Sequence, residues 1–188
     1  TSIHETANGF IACGYEASNN TGDIIGHHFL FDYWVVNLNK TGELLWQKAL
    51  GGNDADWGYS IALTSDNGYV IAGTSRSMDG DVLQNDGGQD VWLVKLDNQG
   101  EIGWQKTLGG SKAESGNSIW STSDGGLILA GRTSSDDGDV FGKNGNQDFW
   151  IVKLAPETSS AVEIPESTAD LLEIFPNPAH QSLIIKTP

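Results

Sequence analysis

Asp32-Tyr-Trp-Val-Val-Asn-Leu38 returns as Asp90-Val-Trp-Leu-Val-Lys-Leu96 and again as Asp148-Phe-Trp-Ile-Val-Lys-Leu154, a period of 58 residues. The same spacing carries other words. Trp46-Gln-Lys-Ala-Leu-Gly-Gly52 returns as Trp104-Gln-Lys-Thr-Leu-Gly-Gly110, and Ser60-Ile61 echoes Ser2-Ile3 and Ser118-Ile119. Gly80-Asp81-Val82 echoes Gly22-Asp23-Ile24 and Gly138-Asp139-Val140. A fixed period of this kind marks an array of like units, each unable to bury its apolar surface alone.

One unit contains four short apolar segments separated by turn residues. In Asp90–Leu96, Trp92, Val94 and Leu96 share one face of a strand while Val91, Leu93 and Lys95 take the other. Both faces are largely apolar, so this strand is expected to be covered on two sides. Asn98-Gln99-Gly100 makes a tight turn into a second segment, 101–108, which ends on Gly109-Gly110. The third segment, 60–64 or 118–122, closes on Asp66-Asn67-Gly68 or Asp124-Gly125-Gly126, both strong hairpin signals. The fourth runs over 69–73 or 127–131. No segment has a 3.6-residue period long enough for a helix. The chain is therefore all-β, built of repeated four-stranded antiparallel meanders.

Meanders that are apolar on both faces must stack, either radially as a β-propeller or linearly as a solenoid. The polar, Gly-rich stretch 75–89 is longer than any turn within the unit. In a propeller such a connector could pass from the outermost strand of one sheet to the innermost strand of the next, about 14 Å at the interstrand spacing. A partial β-propeller is the expected architecture over 1–155: a partial copy 1–31, full copies 32–89 and 90–147, and a trailing strand 148–155. This is part of a ring, read as the C-terminal end of a longer protein.

Composition changes sharply beyond the repeats. All 24 Gly lie at or before Gly145, and all five Pro lie at or after Pro156. Residues 156–169, rich in Ser, Thr, Glu and Pro, read as a linker to a short β-sandwich-like fragment at 170–188. The formal net charge of −15 at pH 7, with no basic cluster, argues against nucleic acid and anionic membrane surfaces. No stretch approaches the roughly 18 apolar residues of a membrane span. Cys13 is the single cysteine, so no internal disulfide forms, and its repeat position points to a small buried residue.

Candidate chemistry centres on the long connectors. Asp79, Asp81 and Asp86 in one copy, and Asp137, Asp139 and Asn144 in the next, offer Ca²⁺ some of the oxygen ligands that it needs. Asp, Asn and Gly also populate such loops simply because they form turns. Trp34, Trp92, Trp150, Trp46 and Trp104 recur at apolar strand positions, as core residues do. Trp57 and Trp120 break the pattern, since Ser115 and Ala62 stand one period away, and are the candidates for ligand contact. His27 and His28 read as solvated loop residues, with no third His or Cys beside them. No catalytic constellation emerges from residues that are mostly copies of one another.

Trp104-Gln-Lys-Thr-Leu-Gly-Gly110, Ser118-Ile-Trp-Ser-Thr-Ser-Asp-Gly-Gly126 and Asp148-Phe-Trp-Ile-Val-Lys-Leu154 resemble the β-propeller repeats of bacterial secreted and cell-surface proteins. Leu172-Glu-Ile-Phe-Pro-Asn-Pro178, followed by Ser182-Leu-Ile-Ile-Lys186, resembles the opening of the C-terminal sorting domain read by the type IX secretion system, with Pro176, Asn177 and Pro178 as its motif. That domain runs on for several more strands, whereas this chain ends at Pro188. The resemblances imply a secreted or outer-surface location and the type IX machinery as a partner. The expected function is a non-catalytic module that binds a polysaccharide or surface protein, or acts as a scaffold. The alternative is an accessory propeller domain of a larger secreted hydrolase.

Overall fold

A computed structural model describes residues 1–17 and 23–156 together with the backbone of 172–175. The strands are β1 (Ser2–Thr6), β2 (Gly9–Glu16), β3 (Asp32–Asn39), β4 (Leu44–Leu50), β5 (Asp56–Leu63), β6 (Tyr69–Ser75), β7 (Asp90–Leu96), β8 (Ile102–Leu108), β9 (Glu114–Ser121), β10 (Leu127–Thr133), β11 (Asp148–Leu154) and β12 (Leu172–Phe175). No helix forms among the described residues. The strands make three antiparallel meanders ordered β1-β2-β3-β4, β5-β6-β7-β8 and β9-β10-β11-β12. The hairpin turns fall where Asp-Asn-Gly and Asp-Gly-Gly place them, with Asn67 at φ 63° and Gly125 at φ 85°. β12 adds to β11, so its backbone completes the third sheet. The linker region 157–171 and the remainder of the tail, including Pro176, Asn177 and Pro178, lie outside the described residues.

The long connector takes a course other than the expected one. It leaves β6 and returns as β7, the strand hydrogen-bonded to β6 in full register from Tyr69↔Leu96 to Ser75↔Asp90. It therefore stays inside one sheet. The passage from the last strand of one sheet to the first strand of the next falls to the short segments 51–55 and 109–113. Five residues reach roughly 16 Å when extended, enough for the ~14 Å of three interstrand gaps. The sheets are thus framed half a period away from the copies 32–89 and 90–147.

The sheets stack face on face as a partial propeller, with their first strands converging. β5 lies against β1, β2 and β3, and β9 lies against β5, β6 and β7. The Ile119 amide donates to Ser60 Oγ across this convergence, at 3.1 Å. The middle sheet is covered on both sides, and every residue of β7 is buried, as its two apolar faces require. Toward the first sheet it presents Ile61, Tyr69, Ile71, Trp92, Val94 and Leu96, which meet Ile11, Cys13, Tyr33, Val35 and Leu50. Toward the third it presents Ala62, Val70, Ala72, Val91 and Leu93, which meet Ile119, Leu127, Leu129, Trp150 and Val152.

Tyr33 fixes the first of these interfaces. Its ring lies 4.7 Å from that of Trp92, and its hydroxyl donates to the Trp92 carbonyl at 2.9 Å. Trp92 is fully buried, whereas Trp34, its equivalent in the first sheet, is only half-buried. Trp92→Ala is expected to cost about 3–5 kcal/mol through the cavity left behind, and Trp34→Ala less than half as much. Urea unfolding of the two variants measures the contrast.

Candidate functional site

Each passage between sheets is clasped by the long loop of the sheet that it enters. The Asp81 amide donates to the Gly51 carbonyl at 2.8 Å, and Asp81 Oδ2 accepts from the Gly51 amide at 3.2 Å. Asp79 accepts from the Asn53 backbone amide at 2.8 Å and from its side chain at 2.6 Å. One period on, Asp139 exchanges the same two bonds with Gly109, at 2.8 and 3.1 Å, and Asp137 accepts from the Ser111 amide at 2.8 Å. Gly80 sits between its aspartates at φ +65°, and a Cβ there would stand 2.4 Å from the Gly51 carbonyl oxygen. The repeated Asp-Gly-Asp and Gly-Gly words are two halves of one contact.

Four of the candidate calcium ligands, Asp79, Asp81, Asp137 and Asp139, thereby accept backbone amides. Asp86 accepts from the Gln84 side chain, at 2.9 and 3.0 Å, and the Asn144 amide donates to Asp148. No three of the carboxylates of Asp79, Asp81, Asp86, Asp137 and Asp139 gather into a ligand cluster among the described residues.

Beneath each clasp two carboxylates face one another. Asp32 Oδ1 and Asp56 Oδ2 lie 2.3 and 2.6 Å from where a Cβ on Gly51 would stand, and Asp90 Oδ1 and Glu114 Oε2 lie 2.4 and 2.7 Å from the same point on Gly109. Backbone amides hold these anions. Asp56 accepts from the Gly52 amide at 2.9 Å, and Glu114 from those of Gly110, Ser134 and Ser135 at 2.9, 3.2 and 3.1 Å. Burial pushes the Asp90 carboxyl up to about 6 against the amides of Asp86 and Gly87, and the Glu114 charge adds to the rise. Burial likewise raises Asp56, with the Asp32 charge contributing.

At the first junction this arrangement is extended by a cluster that sequence reading left in solvent. His27 is buried, with its side chain only 2% exposed, because the first connector folds back over the ends of β2 and β3. His27 Nδ1 meets Glu16 Oε1 at 2.6 Å and lies 3.4 Å from Asp32 Oδ2. His28 approaches the same Asp32 oxygen, with its amide at 2.6 Å and its Nδ1 at 3.1 Å. Burial alone would lower the His27 pKa, but the Glu16 hydrogen bond and the Glu16 and Asp32 charges raise it overall. Glu16, His27 and Asp32 form the one group of three such side chains among the described residues whose ligand atoms all lie within 4.8 Å of one another. The signal was the pairing Glu16↔Asp32 across two strands, visible only once β2 and β3 are in register.

A polar cleft of about 430 Å³ adjoins this cluster, with His28, Asp81, Lys48 and Glu101 in its wall. The two singled-out tryptophans lie apart. Trp120 is 65% exposed, with the His4 ring centroid 6.2 Å away. Trp57 is half-buried between Phe31, at 5.7 Å, and the Arg76 guanidinium, at 5.3 Å. Cys13 is buried as its repeat position requires, and burial pushes its thiol up to about 11. His180 lies outside the described residues.

No protein-family model matches the chain, and no curated protein matches it.

The facing carboxylates give stability a definite pH dependence. The Asp90 pKa is raised from 3.8 to about 6, so the folded state holds a proton that the unfolded state loses. Stability therefore falls as pH rises from 3.8 to about 6, and it stays lower above that window. Asp90→Asn keeps an oxygen for the Asp86 and Gly87 amides and removes the repulsion with Glu114. The variant is expected to be more stable than the parent by on the order of 1 kcal/mol at pH 7.5, with the difference shrinking toward pH 4. Urea unfolding at both pH values checks this; an equal loss at both would remove repulsion as the cause.

Proposed function

We propose that this chain is a non-catalytic repeat module of a secreted or outer-surface protein, acting as a scaffold that grows by stacking like sheets. The observation that carries this reading is the identity of the two uncovered faces. The first sheet turns Ile3, Phe10, Ala12, Trp34, Val36 and Leu38 outward, at the register positions held by Ile61, Tyr69, Ile71, Trp92, Val94 and Leu96 in the middle sheet. The third turns Ile128, Ala130, Phe149 and Ile151 outward, where the middle sheet has Val70, Ala72, Val91 and Leu93. One uncovered face is thus a copy of the surface that mates inside with a copy of the other.

The repeat resemblance supports the secreted setting, and the Pro176-Asn177-Pro178 tail supports export through the type IX machinery. The exposed Trp120 indole offers a stacking surface for a polysaccharide or for a surface protein. The uncovered faces match in a head-to-tail sense, the sense that builds rings or filaments.

Light scattering on the chain over a concentration series is the test. Concentration-dependent association is expected, with Trp34→Glu or Phe149→Glu alone abolishing it, because each spoils a different half of one interface. A monomer at every concentration, or association indifferent to both variants, would sink the stacking reading.

A further inference from the structure

We infer that Glu16, His27 and Asp32, with His28 beside them at the mouth, form a binding site for a borderline divalent transition-metal ion of the Zn²⁺ class, present in the first sheet alone. The first argument is geometric. Zn²⁺ takes nitrogen and carboxylate oxygen ligands tetrahedrally at 2.0–2.2 Å, which sets ligand atoms about 3.3 Å apart. Asp32 Oδ2 lies 3.4 Å from His27 Nδ1 and 3.1 Å from His28 Nδ1. The Glu16 Oε1 to His27 Nδ1 distance of 2.6 Å is a hydrogen bond that opens by less than an ångström when a metal replaces the proton.

The second argument is comparison among the copies. The sheet registers place Glu16 where the other two carry Ser75 and Thr133, all three opposite the aspartate that opens the next strand. His28, Asp86 and Asn144 are equivalent, since each backbone amide donates to that aspartate. His27 accordingly stands where the others have Asn85 and Lys143. Asn85 donates to the Ser75 and Ser77 carbonyls, at 3.2 and 3.3 Å, and Lys143 to the Ser134 carbonyl at 2.7 Å. Those two copies use the position to secure backbone. The first copy alone replaces all three positions together, and each with a metal-ligand type.

The third argument is charge. Glu16 and Asp32 bring two carboxylates into a site where Asp32 is fully buried and Glu16 is 7% exposed. The ion-pair partners of Asp32 are the two histidines, both on its Oδ2, while its Oδ1 faces the junction glycine without a hydrogen-bond partner among the described residues, as Asp90 Oδ1 does in the middle sheet. Buried carboxylates in this number call for a compensating cation. The mixed imidazole and carboxylate set suits Zn²⁺ and its neighbours better than Ca²⁺, which prefers oxygen alone. His28, with its side chain 31% exposed, opens onto the adjoining cleft and supplies a path in.

The experiment titrates the EDTA-stripped chain with Co²⁺, then with Zn²⁺ and, separately, with Ca²⁺. One equivalent of Co²⁺ should bind with the visible absorption of a four-coordinate nitrogen and oxygen site. Zn²⁺ should displace it and raise the melting temperature. The double variant Glu16→Ser, His27→Asn installs the residues found at 75 and 85, so it should fold while binding on the order of 100-fold more weakly or worse. Folded parent chain that binds neither metal, a double variant that binds undiminished, or a response to Ca²⁺ alone would each overturn the site. None of these outcomes bears on the stacking of sheets, so the two readings fail separately.

Discussion

A glycine with no room for a side chain, pinned between two buried carboxylates, is the point on which the molecule turns. Gly51 and Gly109 carry the chain from the last strand of one sheet toward the first strand of the next. Asp32 and Asp56 close on Gly51 from inside, Asp90 and Glu114 on Gly109, and the Asp-Gly-Asp loops latch each glycine from outside. Like charges placed so close are unfavourable by themselves. They are tolerated because backbone amides of the connector and loop point at them, and those amides would otherwise be buried without acceptors. Repulsion between carboxylates and the needs of the main chain thus offset one another at the passage between sheets.

The glutamine of the Trp-Gln-Lys word extends this logic outward. Gln105 accepts from the Trp92 indole at 3.1 Å and donates to the Asp81 carbonyl at 2.6 Å. Gln47 does the same between Trp34 and the Asp23 carbonyl. Each long loop is therefore tied to the outer strand of its sheet by a side chain that also accepts from a tryptophan indole. Recurrent words far apart in the chain recur because they touch.

Strand identity was legible because period-two alternation and Asp-Asn-Gly turns are local properties; β6 to β8 lie where those signals put them, while β5 begins four residues before the expected 60–64. The framing of the sheets was not, since a periodic sequence has no marked beginning. Length alone suggested that 75–89 crosses between sheets, whereas the Gly-Gly segment does so in five residues. The loop is long for another reason, because it must reach back to clasp that segment. That Asp79, Asp81, Asp137 and Asp139 accept the amides of the passage shows only once the loops are folded back onto it. His27 was read as solvated because its partners, Glu16 and Asp32, come close only through strand pairing. Uniqueness within an otherwise faithful repeat was the signal available, and it lay in three positions that become comparable only after the registers are known.

The short passages between sheets also bear on how the molecule responds to force. Each sheet is a continuous stretch of chain that enters at one edge and leaves at the other, joined to the next by a five-residue strap. Tension along the chain would load the strap and its carboxylate latch before it loads any sheet interior. A polymer so arranged yields one sheet at a time, each releasing on the order of 200 Å of chain. Such a chain absorbs sudden extension by surrendering one sheet while its neighbours keep their shape.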